Sequence, residues 1–205
     1  YRAGPIGAVE DFLFDKAFDN IQIDSMLPDI LYGSEQVLYP IGKKSGFDQK
    51  VIDWTTAASS KDRHSKSINI IDASSLIGNA RLIKDDHEID LIKKACDISA
   101  EAHIAAMKSV KKGDLEQQVE SLYIHEFSKR GARYPAYNPI VAGGENACVL
   151  HYVENNQVLN ESDLLLVDAG CEYEMYAADI TRTFPISGKF SEEQLKVYEL
   201  SLIHI

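Results

Sequence analysis

Cysteine is scarce in this sequence, and long apolar runs are missing from it. Three cysteines occur among 205 residues, at Cys96, Cys148 and Cys171, which is too few and too widely spaced for a disulfide framework. We therefore expect a reducing compartment, with the cytoplasm as the default. The longest apolar runs, such as residues 164–167, are much shorter than the roughly 20 residues needed to span a bilayer. No membrane-spanning helix is predicted.

Basic residues are fewer than acidic residues, which argues against nucleic acid as a partner. The chain has 21 Lys and Arg against 32 Asp and Glu, a net charge of -11. No basic cluster interleaved with aromatic residues occurs, and phosphate binding needs a basic surface. Nucleic acid is therefore not an expected partner. The length, with 45% hydrophobic residues, suffices for one large domain or two smaller ones.

The composition changes near residue 78. Before it, "QVLYPIG" and "SINIIDASSLIG" are typical of short strands, and the polar stretch "TTAASSKDRHSKS" between them predicts a loop or a frayed helix end. From Asp85 the pattern is helical, with Glu88 three residues later as in a capping box. Asp114 and Gln117 repeat this arrangement before a second helix that stops at Gly131. The predicted apolar faces of the two helices consist of Ile89, Ile92, Cys96, Ser99, Met107 and Val110, and of Leu115, Val119, Leu122 and Phe127.

The stretch "DAGCEYEMYAADITRTFP", residues 168–185, places two aspartates eleven positions apart. A hairpin with a two-residue turn at Tyr173 and Glu174 would set Asp168 directly opposite Asp179 on one face. Like charges placed so are destabilising. A divalent cation, which prefers carboxylate ligands, would compensate for the repulsion, and so would a shared proton. Solvated carboxylates on an exposed strand face are the alternative.

Two further details favour a ligand over solvent at these aspartates. Asp168 ends the apolar run "LLLV", where an unpaired charge is costly. The small residues Gly170, Ala177 and Ala178 flank the acids and would leave room for a ligand. The residues alone leave the choice between a cation site and a solvated face open.

"GARYPAYNPIVAGGENACVLHYVEN" followed by "LLLVDAGCEYEMYAADITRTFP" resembles the aminopeptidase P and prolidase branch of the pita-bread metallopeptidases. "IDASSLIGNARLIKDDHEIDLIKKACDISAEAH" is similar to the inter-domain segment and first catalytic helix of that family. The resemblance implies an α+β fold in which residues 85–199 form the first half of a pita-bread domain. Residues 1–77 would be the C-terminal part of a small α/β N-terminal domain, and residues 78–84 a linker.

The resemblance also implies a metal site and an activity. The site would hold two divalent metal ions, usually manganese, and would remove the N-terminal residue from peptides whose second residue is proline. Asp168 and Asp179 match two of the five metal ligands of the family, which are two aspartates, one histidine and two glutamates. His151, in "VLHY", matches a catalytic histidine that hydrogen-bonds substrate or the tetrahedral intermediate. Tyr137, in "YPAYN", matches a position that lines the substrate pocket.

Ordinary structural roles remain alternatives for several residues. His151 could be a surface histidine and Tyr137 a core aromatic. Thr181 shares the face of the aspartates and would hydrogen-bond a ligand carboxylate or serve only as a strand former. Arg182 points to the opposite face and is predicted to form a structural ion pair. His103 lies within a helical pattern and receives no functional role.

Two other functions remain open for the parent protein. A prolidase would cleave Xaa-Pro dipeptides, and a metal-free pita-bread protein would bind peptides or proteins without cleaving them. The resemblance of the N-terminal segment favours the aminopeptidase, with a peptide substrate and a homo-oligomeric full-length protein.

The family has its remaining ligands downstream of "DITRTFP", and this sequence ends about twenty residues after that motif. The sequence also begins at Tyr1, without a methionine. The resemblance therefore implies a chain truncated at both ends, inactive and aggregation-prone when expressed alone. The final "LSLIHI", residues 200–205, does not fit the family helix and is one translation of CTGTCTCTTATACACATC, a transposon end used for sequencing libraries. We expect it to be a non-native tail.

Overall fold

The computed structural model describes residues 4–64 and 66–203. The chain forms two compact units, residues 1–83 and 84–205. The predicted linker, residues 78–84, includes the boundary between them, but most of it is helical. In the described ranges no helix is long and apolar enough to cross a membrane. All three cysteines are free thiols.

The first unit combines a parallel strand pair with helices. Its elements are α1 (Gly4–Glu10), α2 (Ile23–Leu31), β1 (Gln36–Tyr39), α3 (Ser45–Ser59), β2 (Asn69–Asp72) and α4 (Ser74–Leu82). Strands β1 and β2 pair in parallel, and α3 supplies the crossover that a parallel pair requires. Trp54 is buried, and its indole N–H donates to Asp24 at 3.0 Å.

Two local predictions in the first unit are only partly right. Of the stretch predicted as a loop or frayed helix end, residues 55–59 complete the regular helix α3, and residues 60–64 lie outside any helix or strand. In "SINIIDASSLIG" only residues 69–72 are extended, because residues 74–78 begin α4. The Asp72 carboxylate accepts the Ser74 N–H at 3.0 Å, which turns the chain from the strand into the helix.

The second unit contains two long helices and two antiparallel sheets. Its elements are α5 (Asp86–Ser109), α6 (Glu116–Lys129), β3 (Tyr134–Pro135), β4 (Ile140–Gly143), β5 (Leu164–Asp168), β6 (Cys171–Tyr173), β7 (Tyr176–Ala177), β8 (Thr181–Pro185) and α7 (Glu192–Leu202). The sheets have the orders β3-β6-β7 and β4-β5-β8. Of the expected non-native tail, residues 200–202 belong to α7, and residues 204 and 205 lie outside the described ranges.

The capping box predicted for the first long helix is confirmed, but the predicted buried face is partly wrong. Asp85 accepts the Glu88 N–H, and Glu88 accepts the Asp85 N–H, each at 2.8 Å. Ile89 and Met107 are 38% and 42% exposed. Ser99 is buried, as predicted, but the other buried residues of the helix, Ala95, Ile98, Ala102, His103 and Ala106, were not predicted. Small side chains let the strand backbone approach the helix: Ser99 Oγ accepts the Cys171 N–H at 3.0 Å.

The second long helix begins one residue later than its predicted capping pair. Gln118 accepts the Leu115 N–H at 2.8 Å, whereas the Asp114 carboxylate accepts the Lys111 N–H in the preceding turn. The helix stops before Gly131, as predicted, and this glycine has a φ of +97°. Val119 and Phe127 are buried, as predicted.

One core joins α5 and α6 to both sheets of the second unit. Its fully or nearly fully buried large side chains include Ile98, Tyr123, Phe127, Leu159, Leu165 and Val167. Leu165 and Val167 alternate with half-buried residues along β5, so the inner face of this strand packs on the helices. The carboxyl end of β5, where Asp168 lies, is therefore fixed by the core.

Candidate metal centre

The aspartates of residues 168–185 lie on one hairpin, but its turn is one residue later than predicted. Glu174 and Met175 form the turn with φ values of +48° and +71°, and Tyr173 pairs with Tyr176. Positive φ at both central residues is the type I′ geometry that suits the twist of a hairpin. Asp168 therefore pairs with Thr181, and the predicted direct opposition of Asp168 and Asp179 is wrong.

The two aspartates still lie on the same face of the hairpin after this change of register. Moving the turn by one residue changes the register by two, and side chains alternate with a period of two. In the continuing register Asp179 lies diagonally across from Asp168 instead of directly opposite. Diagonal neighbours lie roughly 7–8 Å apart, with their Cβ atoms somewhat closer, compared with 4.5–5.5 Å between the Cβ atoms of opposed pairs. The diagonal placement therefore lowers the repulsion that direct opposition would cause.

The two strands cross very closely between the aspartates. Ala169 N–H donates to Ile180 O at 3.1 Å, and Ala178 N–H donates to Cys171 O at 3.0 Å. A Cβ atom added to Gly170 would lie 1.8 Å from the Ala178 carbonyl oxygen. Gly170 is therefore required for the approach of two backbones, and the prediction that it makes room for a ligand is wrong.

A tyrosine hydroxyl joins the two carboxylates. Tyr137 Oη lies 2.5 Å from Asp168 Oδ1 and 3.1 Å from Asp179 Oδ1. Its single proton can be donated to Asp168, with Asp179 at the longer distance. Burial, and then the neighbouring Asp168 carboxylate, raise the pKa of Tyr137, so the hydroxyl stays protonated. One oxygen of each carboxylate therefore lies within hydrogen-bond distance of the Tyr137 hydroxyl.

The charge of these carboxylates is not neutralised by basic side chains. Within residues 4–64 and 66–203, no Lys, Arg or His forms an ion pair with Asp168 or Asp179. The predicted ion pair of Arg182 is also missing from this part of the chain; its guanidinium is exposed and donates to the Thr181 carbonyl at 2.7 Å. Val167, opposite Arg182 in the sheet, offers no charge.

This arrangement fits a hard divalent cation. The donors are carboxylate oxygens on one face, and none of the basic side chains that the structure describes forms an ion pair with them. The described residues include no group of three or more His, Cys, Asp or Glu that could hold a metal ion. The ligand role of Asp168 and Asp179 therefore stays a prediction, as do the three downstream ligands expected from the family resemblance.

A cleft adjoins Asp168 and is lined in part by the predicted histidine. Its volume is about 320 Å³, and His151, Asp168 and Thr181 are among its lining residues. Apolar side chains, including Leu150 and Leu166, form other parts of the wall. An apolar cleft with a few polar groups is typical of small-ligand and peptide sites. The structure thus places His151 and Asp168 in the wall of one cleft. Tyr137 connects Asp168 to Asp179 through its hydroxyl, and Asp179 and Tyr137 are not among the residues that line this cleft.

A buried glutamate, Glu116, holds the loop that carries His151. The sequence pattern did not predict a role for this glutamate. Glu116 is completely buried. Its Oε1 accepts from Gly143 N at 2.9 Å and Asn146 Nδ2 at 3.0 Å, and its Oε2 accepts from Tyr152 Oη at 2.8 Å and Gln157 N at 3.0 Å. Four donors compensate for the burial of the carboxylate. A glutamate in the first turn of a helix is too common to signal such a role.

A buried asparagine fixes the far side of the same loop. Asn155 has a φ of +43°, its Oδ1 accepts the Val141 N–H at 3.0 Å, and its Nδ2 donates to Pro139 O at 2.8 Å. These contacts attach the loop to strand β4. His151 itself is exposed and has a φ of +56°. A firmly attached loop therefore presents this imidazole to the cleft.

Comparison with known proteins gives consistent matches. A sequence model of "Metallopeptidase family M24" matches residues 90–204. The Xaa-Pro aminopeptidase of Haemophilus influenzae is 52% identical over 133 residues, which are 65% of this chain and 31% of that protein. The Xaa-Pro aminopeptidase of Escherichia coli is 39% identical over 207 aligned positions, covering 98% of this chain and 46% of that protein.

Solved structures give the same result. Aminopeptidase PepP from Pseudomonas aeruginosa superposes with a TM-score of 0.93 at 42% identity, covering 98% of this chain and 46% of that chain. Zinc-substituted Escherichia coli aminopeptidase P in complex with product superposes with a TM-score of 0.92 at 38% identity. The chain spans less than half the length of each of these relatives.

Proposed function

Because this chain belongs to metallopeptidase family M24, we propose that the full-length protein is a metalloaminopeptidase that releases the N-terminal residue from peptides with proline in second position. Family membership and the superpositions confirm the predicted α+β pita-bread fold, of which this chain contains part. The activity is proposed for the whole protein, since the relatives named Xaa-Pro aminopeptidase are more than twice as long as the aligned region.

The observation that carries this proposal is the position of Asp168 and Asp179. They share one face of the hairpin, contact one tyrosine hydroxyl and have no cationic partner in the described ranges. We propose that these carboxylates hold divalent metal ions, which in the whole protein are two manganese ions. When bound, such ions supply an activated water and polarise the scissile carbonyl.

The other residues orient the ligands and the substrate. Tyr137, kept protonated by burial, restrains the Asp168 carboxylate by donating to it. Its substrate-lining role stays a prediction. His151 lines the cleft beside Asp168 and can donate to or accept from a peptide group of the substrate. The hydrogen bonds of Glu116 to the loop limit how far the backbone that carries this imidazole has to move on binding.

The proposal is tested with the full-length protein, a tripeptide Xaa-Pro-Xaa and a dipeptide Xaa-Pro, after chelation and after addition of Mn²⁺. We expect Mn²⁺-dependent release of the first residue from the tripeptide. Cleavage of the dipeptide alone would identify a prolidase. Binding of either peptide without cleavage would identify a non-catalytic module. Each of these two results contradicts the aminopeptidase proposal.

Variants test the proposed ligands. Asp168→Asn and Asp179→Asn each remove a negatively charged oxygen ligand, so we expect Mn²⁺ affinity and activity to fall by about 100-fold or more, beyond the loss typical of residues behind the ligands. Asp97→Asn is the matched control, because Asp97 is an exposed carboxylate of α5. Equal Mn²⁺ affinity in Asp168→Asn and Asp97→Asn would rule out Asp168 as a ligand.

Location and assembly are further parts of the proposal. Three free thiols, one of them exposed, support a cytoplasmic location, where thiols stay reduced. A homo-oligomeric full-length protein stays a prediction that sedimentation of that protein would test.

A further inference from the structure

A buried histidine lies directly behind the two aspartates. His103 is 3% exposed and belongs to α5. Its Nε2 lies 3.3 Å from the Ala169 carbonyl oxygen and 3.0 Å from the Ile180 carbonyl oxygen. Its Nδ1 lies 2.8 Å from the hydroxyl of Tyr123, a completely buried residue of α6. The helical pattern gave this histidine no functional role, because these contacts depend on residues far away in the sequence.

The contacts determine the tautomer of His103. Carbonyl oxygens only accept hydrogen bonds, so Nε2 must carry the proton, and Nδ1 accepts from the Tyr123 hydroxyl. Burial lowers the pKa of His103, which keeps the ring neutral. Both ring nitrogens are therefore satisfied, and the ring has a defined orientation between helix and hairpin.

The two carbonyls are adjacent to the proposed ligands. Ala169 follows Asp168, and Ile180 follows Asp179. A hydrogen bond to the carbonyl of the residue after an aspartate fixes the local backbone, and the backbone sets the direction of the aspartate side chain. One imidazole on a rigid helix thus holds both strands where their aspartates must keep a fixed separation. The same two residues, Ala169 and Ile180, also connect the strands directly, because the Ala169 N–H donates to the Ile180 carbonyl oxygen at 3.1 Å.

We propose that His103 is a positioning residue for the metal centre, which sets the separation of the Asp168 and Asp179 carboxylates by donating from Nε2 to the carbonyls of Ala169 and Ile180. This inference rests on the proposed metal site. His103 touches neither substrate nor metal in this role. It acts through the backbone, as groups behind metal ligands commonly do.

The test measures the affinity of the full-length protein for Mn²⁺ alone, by calorimetry or by the electron paramagnetic resonance signal of free Mn²⁺. His103→Gln and His103→Asn form a matched pair. The amide of glutamine reaches the position of Nε2 and can donate to the carbonyls, whereas that of asparagine reaches only the position of Nδ1. We expect His103→Asn to weaken Mn²⁺ binding about 10- to 100-fold and His103→Gln to stay within about threefold of the unaltered protein.

A control separates positioning from loss of stability. Phe127→Leu removes part of a buried ring that packs against Tyr123 at a centroid distance of 6.1 Å, without touching His103 hydrogen bonds. We expect this variant to lower the free energy of unfolding and to leave Mn²⁺ affinity unchanged. If Phe127→Leu weakened Mn²⁺ binding as much as His103→Asn, general destabilisation would explain both results. The proposed positioning role of His103 would then be refuted.

The remaining outcomes are also distinguishable. No Mn²⁺ binding by the unaltered protein overturns the proposed metal site itself. Mn²⁺ binding by the unaltered protein together with equal affinity in His103→Asn overturns only the positioning role. Rescue by His103→Gln of the affinity that His103→Asn loses supports it.

Discussion

The close crossing of the hairpin strands predicts that Gly170→Ala disables the metal centre. An added Cβ would lie 1.8 Å from the Ala178 carbonyl oxygen, whereas ordinary contact begins at 3.4 Å. The backbones must therefore separate by about 1.6 Å, the difference between these distances. Because the obstacle is backbone and cannot change rotamer, we expect a loss of about 3 kcal/mol in the free energy of unfolding, the upper part of the usual range for overpacking.

The same separation displaces the residues on both sides of the crossing. Asp168 and Asp179 lie on the two strands that must move apart, and errors of about 1 Å at a reacting centre cost roughly 100-fold in rate. We expect Mn²⁺ affinity and peptide cleavage of the full-length Gly170→Ala protein to fall by about this factor. Urea unfolding and Mn²⁺ titration measure the two effects separately.

A matched glycine provides the control for this experiment. Gly78 lies inside helix α4, and a Cβ added there meets nothing within 4 Å. Alanine is favoured over glycine by roughly 0.5–1 kcal/mol inside a helix, so Gly78→Ala should be neutral or slightly stabilising and leave Mn²⁺ affinity unchanged. If Gly170→Ala unfolded at the urea concentration of the unaltered protein and kept its Mn²⁺ affinity, the close crossing would be refuted.

Three other predictions follow from the same structure. Glu116→Gln replaces an acceptor of buried donors by a donor, so the free energy of unfolding should fall by about 2–4 kcal/mol in urea; an unchanged midpoint would contradict the hydrogen bonds assigned to Glu116. The pair Glu174→Asn and Met175→Gly relieves two positive φ angles and should stabilise the protein by about 1–2 kcal/mol; no rise in the urea midpoint would contradict the turn. Burial lowers the pKa of His103, so its neutral form stabilises the fold above the unfolded pKa of about 6.5, and this stability is lost as pH falls below that value. His103→Gln should flatten this dependence of unfolding free energy on pH, and identical slopes in both proteins would disprove it.

Several features of the fold could be predicted from local sequence. The capping box of Asp85 and Glu88 and the stop at Gly131 are confirmed because each depends on a few neighbouring residues. The turn at Glu174 and Met175 could not be placed, since neither residue is a glycine or an asparagine. The face shared by Asp168 and Asp179 was nevertheless predictable, because parity does not change when a turn moves by one residue.

The buried face of α5 could not be predicted from hydrophobic periodicity. Its alanines carry little apolar area, so a count of large apolar residues assigns them little weight. They are buried because strand β6 approaches the helix closely enough for Cys171 N–H to reach Ser99 Oγ. Cys171 is 72 residues from Ser99 in the sequence. The burial of this helix face therefore depends on the tertiary fold and not on the local pattern.

The sequence by itself determined which residues could form a metal centre and which face they share, because residue type and alternation along a strand are local properties. Only the tertiary structure decided how that centre is held. Tyr137 and His103 reach it from positions 31 to 77 residues away from the groups that they contact. Glu116 holds the His151 loop through groups that lie 27 to 41 residues after it in the sequence. Hydrogen bonds across such separations depend on how helices and strands pack, and nothing in the local pattern of charge or hydrophobicity specifies them.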